Sequence, residues 1–217
     1  MNNELTDITM ILDKSGSMHS IRNDTIGGVN TFINKQKETP GKATLSMVQF
    51  ASRREVLYSC KDIKDVDNLT INTFIPHGNT ALLDTIGTTI KETGVRLSAM
   101  KEEDRPGKVL FVIITDGEEN YSKEFTKEQI AEMIKLQETT YNWDFIYLGA
   151  NQDAITVAST MGMSAGNSFS FAANAKGTKD MFSAVSDNTV KYRGGGLVKG
   201  HYFSDEDRAK QNLNTPL

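Results

Sequence analysis

The chain has 217 residues and a mass of 24.0 kDa. Because domains average about 150 residues, this length favours one domain with additions. Its 24 basic and 28 acidic residues give a net charge of −4, which excludes the basic balance typical of nucleic-acid-binding proteins. The hydrophobic fraction of 38% is sufficient for a packed core. We therefore expect a globular chain without a nucleic-acid partner.

A few residue types exclude further classes of protein. Cys60 is the single cysteine, so an intrachain disulfide and a cysteine-only zinc site are both excluded. His19, His77 and His201 lie far apart in the chain. The longest apolar run, 109–114, has six residues, whereas a membrane-spanning helix needs about 20. The N-terminus shows no signal segment, so we expect a cytoplasmic protein without membrane insertion; the oligomeric state stays open.

The first half of the chain alternates between the hydrophobic periods of strands and helices. In chain order, the predicted elements are a strand at 8–12, a helix at 21–36, a strand at 44–50, its hairpin partner at 54–59 and a helix at 83–97. Polar, glycine-containing loops separate these elements at 13–20 and 77–81.

The second half continues the alternation. In chain order, the predicted elements are a strand at 108–115, a helix at 130–137, a strand at 143–148, a short helix at 154–161, an edge strand at 168–171 and a last helix at 181–189. The continuous apolar run at 108–115 indicates burial on both faces, as in the centre of a parallel sheet. Thr126 and Gln129 have the spacing of a capping box before the third helix.

The hydrophobic periodicity of the chain is lost after residue 192. Three glycines at 194–196 precede a polar stretch with little periodicity. We predict one domain over residues 1–192 and a tail over 193–217 that is flexible or loosely docked.

Alternating strands and helices predict an α/β fold with a doubly wound, mostly parallel sheet, right-handed crossovers and one antiparallel edge strand. Ligands of such sheets bind at the carboxyl ends of the strands, where the strand order reverses. The loops that follow strands, at 13–20, 116–125 and 149–153, are therefore the candidate binding loops. The loop at 77–81 precedes a helix and is expected at the same edge.

Five oxygen-bearing side chains lie in these loops. They are Asp13, Ser15, Ser17, Thr80 and Asp116, which provide two carboxylates and three hydroxyls. Hard oxygen ligands suit Mg²⁺, Ca²⁺ or Mn²⁺ better than zinc or copper. The alternate spacing of the first three residues allows a curling loop to turn their side chains towards one point. The pattern therefore predicts a divalent cation site.

The order of these residues resembles a known family. Asp-x-Ser-x-Ser after the first strand, a distant Thr and a later Asp-Gly after the strand at 108–115 are similar to the metal-ion-dependent adhesion site (MIDAS) of von Willebrand factor A domains. The resemblance covers residues 5–192 in element order. The stretch 147–154 also resembles bacterial and phage members of the family.

The resemblance implies a role for each residue. Ser15, Ser17 and Thr80 would bind the metal through their hydroxyl oxygens, and Asp13 and Asp116 would bind it directly or through water. Mg²⁺, with Mn²⁺ or Ca²⁺ as alternatives, takes six oxygens and keeps several waters. An open position would then accept a carboxylate from an Asp or Glu of a partner protein. The implied function is a binding bridge and not an enzyme.

Two other functions are open alternatives. Asp13 has the position of the nucleophile in some phosphoryl-transfer hydrolases, but the dehalogenase-like pattern requires a second Asp where this chain has Ser15. No phosphate-binding loop with the required spacing and no nucleophile elbow occurs in the sequence. The second alternative is a structural scaffold that binds no metal.

Further polar residues flank the predicted site. Asp84 is predicted to be a solvated acid in the first turn of its helix, where the helix dipole stabilises it. Residues 118–120 are predicted to be solvated at the rim, with a partner surface or a second ion as the alternative. His19 and His77 are predicted to be ordinary loop histidines, although either side chain could contact a ligand.

Overall fold

The structure is a computed structural model that describes residues 1–151 and 153–212. Residue 152, within the predicted loop 149–153, lies outside the described residues. Residues 213–217 of the predicted tail also lie outside the described residues.

The described strands form a single sheet in the order β3-β2-β1-β4-β5-β6. The strands are β1 (Asn2–Asp13), β2 (Lys42–Phe50), β3 (Arg54–Asp62), β4 (Pro106–Thr115), β5 (Asp144–Ala150) and β6 (Ser168–Phe171). Neighbouring strands run parallel except for β2 and β3, which form an antiparallel pair at one edge. The predicted fold class is therefore confirmed.

Helices cover both faces of this sheet. They are α1 (Arg22–Glu38), α2 (Leu82–Ser98), α3 (Lys127–Thr140), α4 (Ala154–Thr160), α5 (Ala175–Arg193) and α6 (Asp205–Asn212). None of these described helices combines the length and apolar content that a membrane crossing requires.

The side chains of β1 show how the layers assemble. Ile8, Met10 and Leu12 belong to one buried cluster with side chains of α1 and α5. Ile11 points to the opposite face and belongs to a second cluster with side chains of α2, α3 and α4. Because successive strand residues alternate between faces, a central strand covered on both sides is apolar at nearly every position.

The strand order creates a cleft at the carboxyl edge of the sheet. β1 and β4 are neighbours, with Leu12 level with Ile114, but their connections lead to opposite faces. The chain leaves β1 towards α1 and leaves β4 towards α3. This reversal separates the two loops and opens a crevice between them, which is the usual ligand position in open α/β sheets.

Two elements, β1 and α5, begin six positions before their predicted starts. β1 begins six positions before the predicted strand, because polar residues at its start pair with β2 and β4 although they lack an apolar pattern. α5 begins at Ala175, where Asn174 caps the helix by accepting the backbone N–H of Gly177 at 2.8 Å. The predicted capping box of Thr126 and Gln129 is confirmed at the start of α3.

The described part of the predicted tail packs against the rest of the chain. The Arg193 guanidinium is buried and donates to the backbone oxygens of Gln36 and Gly41, at 2.6 and 3.0 Å. Tyr202 and Phe203 are buried in the same cluster as α1 and α5. Residues 193–212 thus add buried side chains to the core. The domain boundary at residue 192 stays a prediction.

Candidate metal centre

The end of β1 places a buried carboxyl group at the crevice. Asp13 is fully buried, and each of its oxygens accepts a hydrogen bond. Oδ1 accepts the backbone N–H of Ser15 at 2.6 Å, and Oδ2 accepts the Thr115 hydroxyl at 2.5 Å. A 3-10 helix, Gly16–Ile21, then turns the chain sharply. As a result, the hydroxyl oxygens of Ser15 and Ser17 lie 3.0 Å apart.

A hydrogen bond joins this loop to the loop that follows β4. The Ser17 hydroxyl donates to Asp116 Oδ1 at 2.6 Å across 99 positions of sequence. The adjacent Gly117 has no side chain to obstruct the crevice. A Cβ atom at Gly117 would lie 3.2 Å from Thr80 Oγ1, 3.5 Å from Ser17 Oγ and 3.9 Å from Asp13 Oδ2. Because Asp116 Oδ1 is also bonded to Ser17, oxygens from three separate loops lie close together beside Gly117.

Asn120 holds Thr80 in this position through two hydrogen bonds. The backbone N–H of Thr80 donates to Asn120 Oδ1 at 2.9 Å, and the backbone N–H of Asn120 donates to the Thr80 carbonyl at 3.1 Å. Thr80 is buried, so its hydroxyl has little freedom to turn away from the crevice. Asn120 is exposed, as predicted for a residue at the rim, and its side-chain oxygen also positions Thr80.

The loop before Thr80 is bound directly to the loop after β1. The backbone N–H of Gly16 donates to the Gly78 carbonyl at 3.1 Å, and the backbone N–H of His77 donates to the Lys14 carbonyl at 2.8 Å. Gly78 has a φ of +74°, and a Cβ atom there would lie 2.7 Å from Ser52 Oγ. Glycine is therefore required at this turn, both for conformation and for space.

The structure brings all five predicted site residues to the same edge of the sheet. Their role as metal ligands stays a prediction, but their chemistry fits a divalent cation. Burial raises the pKa of Asp13 to about 6, against the lowering effect of hydrogen bonds from Thr115 and Ser15. Burial also raises the pKa of Asp116. Desolvation penalises both negative charges, and a cation at this point would compensate for it.

The basic side chain in the loop after β1 is paired with another residue. Lys14 is buried, and its ammonium forms an ion pair with Glu55 on β3. Among the described residues, no group of three or more His, Cys, Asp or Glu side chains could hold a metal. Any coordination sphere that the described residues form here would therefore include neutral donors, and the hydroxyls of the serines and Thr80 are candidates.

Glu119 was missed as a structural residue by the sequence analysis. Its Oε1 accepts the backbone N–H groups of Tyr121 and Ser122, both at 2.7 Å, and its Oε2 accepts the backbone N–H of Leu83 at 2.8 Å. The prediction of a solvated rim charge at this position was wrong, because the carboxylate satisfies backbone donors of its own loop and of α2.

Asp84 makes the reciprocal connection from α2. Its carboxylate accepts the backbone N–H groups of residues 123–125 at 2.7 to 3.0 Å. Asp84 does lie in the first turn of α2, as predicted, but its carboxylate accepts these backbone groups instead of being solvated. For both residues, the only signal of this role in the sequence is an acidic side chain next to a binding loop or at the start of a helix. The sequence does not reveal that their partners are about 40 positions away.

A family comparison agrees with this geometry. The sequence model of the von Willebrand factor type A domain matches residues 7–188, which is more than half of the chain. The chain belongs to this family. Its membership in the bacterial or phage type stays a prediction, and the stretch 147–154 on which it was based includes residue 152, outside the described residues. No curated protein matches this VWA domain in sequence.

Solved structures with the same fold share little sequence with this VWA domain. Proximal thread matrix protein 1 from the mussel byssus is 16% identical with a TM-score of 0.58, over 87% of this chain and 46% of that chain. The ArnB paralog VWA2 from Sulfolobus acidocaldarius is 16% identical with a TM-score of 0.53, over 87% and 45%. This chain spans less than half of either protein, and such likeness shows the fold alone.

One further structure of the mussel protein has a zinc-occupied MIDAS motif. It is 18% identical to this chain with a TM-score of 0.53, over 86% of this chain and 45% of that chain.

Proposed function

We propose that this VWA domain is a metal-dependent protein-binding module. Asp13, Ser15, Ser17, Thr80 and Asp116 would hold a divalent cation, and an Asp or Glu of a partner protein would complete its coordination. The convergence of hydroxyl and carboxyl oxygens from three loops around Gly117 is the observation that supports this proposal.

The mixture of donors suits a bridge between two proteins. When bound, a divalent cation supplies an electrophilic centre with an open position for an outside carboxylate. Three of the five donors are neutral hydroxyls, so the protein adds little negative charge to repel that carboxylate. The Asp13 carboxylate also shares its charge with Thr115 and the Ser15 N–H group, which favours attraction of a partner's acid further.

Mg²⁺ is the proposed ion, with Mn²⁺ and Ca²⁺ as alternatives, because all five donors are oxygen atoms. Oxygen donors favour Mg²⁺ over zinc, yet zinc occupies the MIDAS motif of the mussel protein. Zinc therefore belongs among the ions to be tested. A cytoplasmic location and the absence of a nucleic-acid partner also stay proposals.

The hydrolase alternative has less support from the geometry. Both oxygens of Asp13 accept hydrogen bonds, from Ser15 and from Thr115, which weakens this carboxylate as a nucleophile. The scaffold alternative leaves two desolvated carboxyl groups without a compensating charge. Both observations favour the binding module.

Calorimetric titration of the folded chain with Mg²⁺, Mn²⁺, Ca²⁺ and Zn²⁺ tests the site. We expect about one ion per chain. Ser17→Ala should weaken ion binding at least tenfold, because the exposed Ser17 side chain contributes one of the five oxygen donors of the proposed site. Ser20→Ala is the matched control in the same 3-10 helix and should bind as the unchanged chain does. Absence of any saturable ion binding by the folded chain would support the scaffold alternative.

A second measurement tests whether the bound ion accepts an outside carboxylate, separately from whether the chain binds the ion. With Mn²⁺ bound, added acetate should displace coordinated water and lower the relaxation enhancement of the solvent protons. If the ion binds but acetate has no effect, the proposal of a metal site stands and the proposal of a carboxylate bridge is contradicted. Asp13-dependent turnover of p-nitrophenyl phosphate would instead favour the hydrolase.

A further inference from the structure

A polar cavity of about 180 Å³ lies at the opposite edge of the sheet from the candidate metal centre. It is located at the amino ends of β4 and β5, next to the carboxyl end of α5, and a glycine-containing loop at 195–200 forms one wall. Its polar lining includes Lys108, Asp144, Asn167, Tyr192, Lys199 and Tyr202. None of these residues belongs to the metal centre, so the cavity is a separate feature.

Two acceptors in this lining have capacity for a further hydrogen bond. Asn167 is 3% exposed, and its Nδ2 donates to the Phe145 carbonyl at 3.0 Å. This bond fixes the orientation of the amide, and its buried Oδ1 has no hydrogen-bond partner. An unpartnered buried oxygen is costly, so it indicates a donor from outside the chain. The second acceptor is the Asp144 carboxylate, whose Oδ2 accepts the Tyr192 hydroxyl at 2.9 Å.

Two donors in the lining are only partly used. The Lys108 ammonium donates to the carbonyls of Tyr192 and Arg193, at 3.0 and 2.6 Å. The Lys199 ammonium donates to the Glu138 carbonyl and to Asn142 Oδ1, both at 2.8 Å. Because an ammonium group carries three N–H bonds, each lysine retains one for a ligand.

The charges of the lining restrict the ligand. A simple anion would meet the Asp144 carboxylate, and a simple cation would meet two ammonium groups. A molecule that carries both charges can satisfy the two sets at once. The cavity exceeds the roughly 30 Å³ that one water occupies in the liquid, so it has room for a small organic molecule.

We propose that this cavity binds a small zwitterion, a free α-amino acid. Its carboxylate would contact Lys108 and Lys199, and its ammonium group would contact Asp144 and the unpartnered oxygen of Asn167. This site would operate independently of the cation site, because it shares no residue with it.

Calorimetric titration of the full chain with glycine and L-alanine tests the proposal. We expect saturable binding of about one amino acid per chain, and no saturable binding of acetate or methylammonium at the same concentrations. Lys199→Met should weaken amino-acid binding about tenfold, since it removes one charged donor while the exposed position preserves the fold. Lys101→Met, at an exposed position away from the cavity, should have no effect.

Asp144→Asn provides a second test that retains the size of the side chain. It should weaken L-alanine binding, because the ligand's ammonium group loses its counter-charge. Tighter binding of inorganic phosphate than of L-alanine by the unchanged chain would overturn the proposal in favour of an anion site. No saturable binding of either amino acid, or binding that Lys199→Met leaves unchanged, would also overturn it.

Discussion

Gly117 lies where the oxygens of three loops converge, and its missing side chain keeps that space open. A methyl group there would lie 3.2 Å from Thr80 Oγ1, which is tighter than most such contacts, and 3.5 Å from Ser17 Oγ, which is an ordinary van der Waals contact. We expect Gly117→Ala to weaken divalent cation binding about tenfold, because the methyl group occupies the space between the oxygens and displaces the Thr80 hydroxyl. Titration with Mn²⁺ measures this change.

Gly94→Ala is the control for this substitution. An added methyl group at Gly94, on α2, meets no atom within 4 Å, so cation affinity should stay unchanged. Equal affinity of both variants and the unchanged chain would show that the ion lies elsewhere.

The five oxygen-bearing residues were predictable because their sequence spacing and loop positions carry the signal. Asp84 and Glu119 were not, since their function depends on backbone N–H groups about 40 positions away. Hydrogen bonding to backbone donors leaves no pattern of residue types in the sequence. The ligands could therefore be named in advance, while the residues that position the loops required the structure.

At the scale of elements, α1 and α5 pack closely because Gly28 lies beneath the ring of Phe182. A Cβ atom at Gly28 would lie 1.9 Å from a carbon of that ring. We expect Gly28→Ala to destabilise the fold by about 1–3 kcal/mol through overpacking. Urea unfolding followed by circular dichroism measures the free energy.

The neighbouring Gly27 gives a matched comparison on the same helix. A methyl group at Gly27 meets no atom within 4 Å, so Gly27→Ala should stabilise the chain by about 0.5–1 kcal/mol through helix propensity. Equal stabilities of the two variants would contradict the close packing of α1 on α5.

Elements with a clear apolar period were predicted well, and elements without one were not. The strand at 108–115 was found from its continuous apolar run, and it corresponds to β4. α6 was missed, because its eight residues are almost entirely polar and its position depends on contacts such as Arg208 with the Ser168 carbonyl. Tertiary contacts of polar residues are invisible to hydrophobic periodicity.

At the scale of the whole molecule, residues after 192 contribute to the core. A chain that ends at residue 192 loses the Arg193 hydrogen bonds and the buried rings of Tyr202 and Phe203. Removal of one buried phenylalanine side chain costs about 3–5 kcal/mol, so we expect the truncated chain to lose at least that stability. Urea unfolding of both chains checks this expectation.

Val198→Ala in the full chain is the control, because that side chain is 71% exposed and its loss should change stability by no more than about 0.5 kcal/mol. A truncated chain as stable as the full one would support the domain boundary that the sequence predicts at residue 192.

The hydrogen bond between Ser17 and Asp116 has a consequence for assembly. These residues are separated by 99 positions, and they meet only after β4 has aligned with β1. Closing so long a loop is entropically costly and must precede any reward from the contact. The metal centre therefore forms no earlier than this pairing, and an ion that binds there would select chains whose central strands have already joined.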